Sequence, residues 1–225
     1  MTSRRSCADT ASPDAVTARL PAVDATAAEI VSTVLASRPT LGSGRLVCVD
    51  GPAGSGKTTL AAALNRSFRD ELRSSVSTES RVRLLHMDNV YDGWAGLDAG
   101  MDTVASAVVG PLRTGRTGCY RRYDWHRSRF AEKRLVPPCD VLLIEGVGSG
   151  GRLGGYPDAV TCLVWVAASS DVRLERGLQR DGERQREHWL AWQRQEAAMF
   201  ARERIRDRAD VVVDGTSGRI NGAAH

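Results

Sequence analysis

Lysine is almost absent from this chain. Of 31 basic residues only Lys57 and Lys133 are lysines, and the rest are arginines. Long apolar runs are missing too. No stretch approaches the ~20 residues that span a bilayer, which excludes an integral membrane protein. Arg4 and Arg5 near the N-terminus are not followed by an apolar segment. No secretory signal is expected, and a cytoplasmic location is. The five cysteines, Cys7, Cys48, Cys119, Cys139 and Cys162, are odd in number and contain no CxxC pair. Neither a disulfide framework nor a zinc site is indicated, so reduced thiols are expected. Cys48 and Cys162 lie in apolar runs and read as small core residues. No internal repeat or long low-complexity tract occurs.

What is present is ordinary for a globular protein: 225 residues, 42% hydrophobic and 26% charged. That length suggests one domain with appendages. The net charge of +4 is concentrated. Between Arg113 and Arg134 stand eight basic residues against two acids, Asp124 and Glu132. Such a block can attract an anionic ligand or nucleic acid, although a solvated surface is the simpler reading. Residues 1–22 lack periodicity and read as a disordered tail. Thr26-Ala-Ala-Glu29 spells a capping box, which predicts a helix starting there and ending before Pro39. Apolar strands are expected at Arg45–Asp50, Arg81–His86, Asp140–Glu145, Val160–Ala167 and Ala209–Val213. Helical spacing separates them, notably over Thr58–Leu72 and Asp171–Arg180, with Trp189, Trp192, Met199 and Phe200 on the buried face of a long helix. This alternation predicts a three-layer α/β fold with a five-stranded parallel sheet over residues 23–216, followed by a polar tail at 217–225.

Gly51-Pro-Ala-Gly-Ser-Gly56-Lys57-Thr58 matches GxxxxGK[ST] at every fixed position, with a strand before it and a helix after it. Glycines let the backbone curl so that its N–H groups face phosphate oxygens, and the helix N-terminus adds positive potential. Lys57 supplies a slender mobile charge where a planar guanidinium would fit differently, which is notable in a chain that otherwise uses arginine. The Thr58 hydroxyl is placed to ligate Mg²⁺. Two acids, Asp88 and Glu145, follow apolar strands. In a doubly wound sheet, ligands sit beyond the strands' carboxyl ends, so both acids should face the phosphate loop. One can orient or deprotonate a hydroxyl; the other can hold Mg²⁺ through water. Gly146-Val-Gly148-Ser-Gly-Gly151 spells GxGxxG, but no periodic helix follows it. A mobile loop closing on substrate is the expected reading.

In order along the chain stand the phosphate loop, His86-Met-Asp88-Asn-Val-Tyr91, Tyr123-Asp124-Trp125-His-Arg-Ser-Arg129 and the Leu-Leu-Ile-Glu145-Gly strand. Together they resemble the uridine kinase and phosphoribulokinase-like branch of the P-loop kinases. Arg173-Leu-Glu-Arg176-Gly-Leu-Gln-Arg180-Asp continues the likeness, which covers residues 45–215. The resemblance implies a P-loop NTPase fold with a short helical lid at about 171–186. It also implies phosphorylation of a small-molecule hydroxyl, with a nucleoside as the expected acceptor and ATP and Mg²⁺ as cofactors. On that reading Lys57 and Asp88 are catalytic, Asp88 as the base. Gly51, Pro52, Ala53, Gly54, Ser55, Gly56, Lys57, Thr58, Thr59, Arg176 and Arg180 would hold the nucleotide. Tyr91, Tyr123, His126, Arg129, Glu145 and Arg173, with Asp88, would meet the acceptor, and Thr58 and Glu145 would meet the metal. For Arg173, Arg176 and Arg180 the competing reading is ion pairing with Asp171, Glu175 and Asp181 on the helix surface.

The likeness has departures. His126 follows Tyr123-Asp-Trp at once, in a segment one residue shorter than the uridine kinase pattern, and Asp92-Gly-Trp94-Ala-Gly also differs. The basic block would border the acceptor pocket and could receive an anionic substrate. Two alternatives stay open: a kinase of a vitamin precursor, sugar phosphate or antibiotic, and a nucleotide-dependent regulatory ATPase. A GTPase is excluded because neither lysine stands in an Asn-Lys-x-Asp element. No nucleic-acid recognition module and no membrane partner are indicated, and oligomeric state is not legible.

Overall fold

The computed structural model describes residues 13–73, 81–151 and 156–221. In chain order the strands are β1 (Arg45–Asp50), β2 (Val82–His86), β3 (Gly118–Asp124), β4 (Arg129–Val136), β5 (Val141–Glu145), β6 (Val160–Ala167) and β7 (Val211–Asp214). Five form one parallel sheet in the order β2-β5-β1-β6-β7. The main helices are α1 (Pro13–Ala36), α2 (Lys57–Glu71), α3 (Leu97–Thr103), α4 (Gly110–Arg113), α5 (Ser170–Asp181) and α6 (Arg186–Glu203). A π-helical stretch at Val104–Val109 joins α3 to α4. The expected P-loop NTPase architecture is therefore present.

The strands show why both sheet faces are covered. Successive side chains of a strand point to opposite faces. In β1, Leu46 and Cys48 join one core while Val47 and Val49 join the other. In β5, Leu142 and Ile144 part from Val141 and Leu143 in the same way. The first core is closed by the helical run 97–113 and α6, through Met101, Val104, Val108, Trp192 and Met199. The second is closed by α1 and α2, through Ile30, Val34, Leu60, Leu64 and Phe68. Leu143 is wholly buried, and its truncation to alanine would cost about 2–5 kcal/mol.

Four expectations need correction. First, the capping-box spelling at Thr26 does not start a helix, because α1 already runs from Pro13 and takes in residues 13–22. Thr26 is buried, and its hydroxyl donates to Gly218 O at 2.9 Å. Residues 1–12 and Cys7 lie outside the described residues. Second, the same contact places residues 217–221 against the domain instead of in a tail. Asn221 N donates to Val212 O, and Ile220 bridges to Val213. Third, the basic block is largely exposed, as the solvated-surface reading has it, but residues 118–136 form the antiparallel β3–β4 hairpin, where no strand was expected. Arg122 there is paired with Glu132, and Arg121 Nε and Nη2 donate to the hairpin's own carbonyls. Neither strand alternates apolar with charged residues, so the period-2 signal that marks a strand is missing from β3 and β4. The fourth correction concerns the Gly146–Gly151 loop and depends on the geometry below. The four described cysteines are free, as expected. No helix among the described residues is long and apolar enough to cross a membrane.

Candidate active site

The site begins where β1 ends. Asp50 is wholly buried, and its carboxylate accepts N–H bonds from Gly51 (2.6 Å), Gly148 (2.9 Å) and Gly150 (2.8 Å). Burial pushes its pKa up to about 6, against the opposing pull of those amides and Lys57. Gly146–Gly151 are all buried. This loop is therefore no mobile flap. Asp50 stitches it to the root of the phosphate loop, a long-range bond with no trace in the local spelling.

The loop from Gly51 to Gly56 then turns back on itself. Gly51 has φ +138°, and a Cβ there would stand 2.3 Å from Val166 O. Gly54 has φ +79°, and a Cβ would stand 2.5 Å from Arg173 O. Only glycine fits both positions without moving backbone. Lys57 opens α2, is buried, and donates from Nζ to Pro52 O at 2.8 Å. Burial lowers its pKa, while Glu145, Asp50, Glu196 and Asp88 pull it back towards the charged form. Ser55 Oγ is buried without a hydrogen-bond partner. An unanswered polar atom, a helix N-terminus and an ammonium around a glycine cradle together suit a chain of phosphates.

Beside this cradle, β2 and β5 run in register, with His86 opposite Glu145. His86 Nδ1 lies 2.6 Å from Glu145 Oε1, and that bond raises the imidazole pKa. Thr58 Oγ1 donates to Glu145 at 3.3 Å. Asp88 follows on a single 3₁₀ turn, Met87–Asn89. It is open to solvent through the cavity mouth. The enclosing walls still raise its pKa, helped by Glu145 and opposed by Lys57, Arg180 and His86. Among the described residues no group of three or more His, Cys, Asp or Glu side chains could cage a metal. Thr58 and Glu145 suit an ion that keeps waters and takes phosphate oxygens, which is the habit of Mg²⁺.

These residues share one cavity of about 670 Å³. Ala53, Gly54, Gly56, Lys57, Thr58, Asp88, Tyr91, His126, Glu145, Arg176 and Arg180, all named from sequence, line it. Seven others do not: Gly51, Pro52, Ser55 and Thr59 of the loop and the start of α2, and Tyr123, Arg129 and Arg173. Tyr123 packs its ring against Trp125 and Phe130 at 5.2 and 5.3 Å, behind the wall. Arg129 opens β4 opposite Asp124 in the hairpin. Arg173 points to Glu196, with Nη1 to Oε1 at 2.6 Å. Tyr91 lines the cavity but commits its hydroxyl to Val147 O at 2.6 Å.

The opposite wall went unread. Trp94, Trp125, Trp189 and Trp192 line it, four of the chain's five tryptophans. Trp94 sits centrally, 5.7, 6.4 and 5.9 Å from the other three rings, and stacks on His188. Trp125 Nε1 donates to Asp88 O at 2.8 Å, and Trp189 Nε1 to Asp181 at 3.0 Å. Gly177 of α5 allows Trp189 its close approach, since a Cβ would stand 2.5 Å from the indole. The tryptophan tally was a usable signal, but Trp189 and Trp192 at helical spacing read as core.

Together the sheet and its glycine loop define an α/β protein with the P-loop kinase fold. Solved structures agree. The chain matches a possible uridine kinase from Bacillus stearothermophilus with TM-score 0.58 and 21% identity, over 84% of this chain and 98% of that one. It matches the YGR205w protein with TM-score 0.55 and 11% identity, over 89% and 96%. No family model and no curated protein matches the chain. At these identities the likeness establishes the fold.

Proposed function

We propose that this protein transfers the γ-phosphoryl group of ATP to a hydroxyl of a small ring-bearing molecule, with a nucleoside as the leading acceptor. One observation carries the reading: Lys57, Thr58, Glu145 and Asp88 meet in the same cavity as a wall of four tryptophans. The loop amides and Lys57 bind and orient the phosphates. Thr58 and Glu145 would hold Mg²⁺, which when bound neutralises phosphate charge. Asp88 accepts the acceptor's hydroxyl proton, and a raised pKa makes it a better base than a solvated aspartate. Arg180 lines the cavity while its guanidinium pairs with Asp181 at 2.8 Å, so it meets charge on the transferring group only by giving up that partner.

The aromatic wall supports a flat ring, which stacks well on indole. None of the basic residues counted between Arg113 and Arg134 lines the cavity. That weighs against a phosphorylated acceptor, which would need cations at its far end. A ring-bearing metabolite other than a nucleoside, such as a vitamin precursor, is favoured by one feature. The aromatic half offers few polar side chains to read a base edge: His126, Asp181 and Gln185.

The test is ATP consumption screened against nucleosides, vitamin precursors and sugar phosphates, with product mass. An unphosphorylated ring compound gaining one phosphoryl group is expected. ATP hydrolysis indifferent to every acceptor would point to a regulatory ATPase, and turnover with sugar phosphates alone would overturn the acceptor assignment.

A further inference from the structure

Curling amides inward turns the phosphate loop's other polar groups outward, where they need partners of their own. Helices α5 and α6 supply them. Arg176 Nη1 lies 3.3 Å from Gly54 O and 3.2 Å from Gly215 O. Arg173 Nη1 lies 3.4 Å from Ala53 O. The Ala53 N–H donates to Glu196 Oε2 at 2.8 Å, and the other oxygen of that carboxylate holds Arg173.

Glu196 is an anomaly on its helix. It follows Trp189 by seven residues and Trp192 by four, so all three share one face. That face is buried, with Glu196 only 1% exposed. A carboxylate in that place is costly unless it is paired and hydrogen-bonded. It is both, and each partner belongs to the loop or to the helix that grips the loop. The same helix face therefore carries two acceptor-wall tryptophans and, two turns on, the carboxylate that fastens the phosphate loop.

We propose that Glu196 is a positioning residue which, with Arg173, holds the phosphate loop in its receiving shape from outside the cavity. Arg173 on this account serves the loop's outer surface and not the acceptor. The inference rests on the nucleotide-binding part of the proposed function.

Calorimetric ATP binding and steady-state kinetics of the full chain test it. Glu196→Ala should weaken ATP binding about tenfold or more, the scale of a lost charge-assisted hydrogen bond. Glu196→Gln keeps the volume and one acceptor oxygen for Ala53 N–H, so it should recover part of that loss. KM for the acceptor at saturating ATP should stay within about twofold in both variants, because the tryptophan wall is untouched. A purely structural role would lower thermal stability without this split. ATP affinity within about twofold of wild type in the folded Glu196→Gln and Glu196→Ala proteins would overturn the proposal. If Glu196→Ala does not fold, unchanged ATP affinity in Glu196→Gln alone overturns it. A wild-type chain that binds no ATP would overturn the kinase reading and this inference together.

Discussion

The two ends of the cavity are built on different principles. The phosphate end is made of backbone from one contiguous run, Gly51 to Thr58, held at the tip of β1. The opposite end is made of side chains from separated places: Tyr91 and Trp94, Trp125 and His126, then Asp181 to Trp192. On the proposed function, backbone recognises what every triphosphate shares, and side chains recognise what distinguishes one acceptor from another. A local motif thus announces the first end, while the second exists only after folding.

Substitutions can break or sharpen that contrast. The largest effect is expected from Lys57→Ala at the phosphate end, a loss on the order of a thousandfold in turnover. Circular dichroism and melting should show an intact fold. Asp88→Asn sits between the two ends and should cost about a hundredfold or more in kcat while ATP binding, followed by calorimetry, survives. A loss below tenfold would remove Asp88 as the base. Trp94→Ala belongs to the acceptor end alone. It should raise acceptor KM about tenfold and leave KM for ATP unchanged; a matched rise in both would erase the distinction between the ends.

The smallest effect is one of stability. Asp50 has a folded pKa near 6 against an ordinary value of 3.8. A raised carboxyl pKa means the folded state binds more protons between these values, so stability falls as pH rises from about 4 to about 6. Urea unfolding of wild type and Asp50→Asn across that range should show the wild type losing ground to the variant. Parallel curves would mean that Asp50 ionises freely in its pocket.

Legibility followed the same division. The strand ends carrying Asp88 and Glu145 were readable because apolar runs stop there, and β5 lies beside β1 with Glu145 opposite Val49. The Asp50 bonds to Gly148 and Gly150 were not readable, since they join positions about a hundred residues apart. The hairpin at 118–136 was obscured because its arginines drew attention to charge and neither strand alternates, while its register places Tyr123 opposite Phe130 and Cys119 opposite Leu135. Arg173 matched a lid pattern, yet a buried carboxylate from another helix captured it.

Periodicity and one eight-residue spelling were enough to specify a parallel sheet, a phosphate cradle at its centre and two acids beside it. The physical reason is that apolar alternation and glycine torsions act within a few residues. Which tryptophans face the cavity, which arginines turn away from it, and which carboxylate secures the cradle were decided by packing. Those outcomes depend on which distant surfaces α5, α6 and the hairpin meet, and no short stretch of chain contains that information.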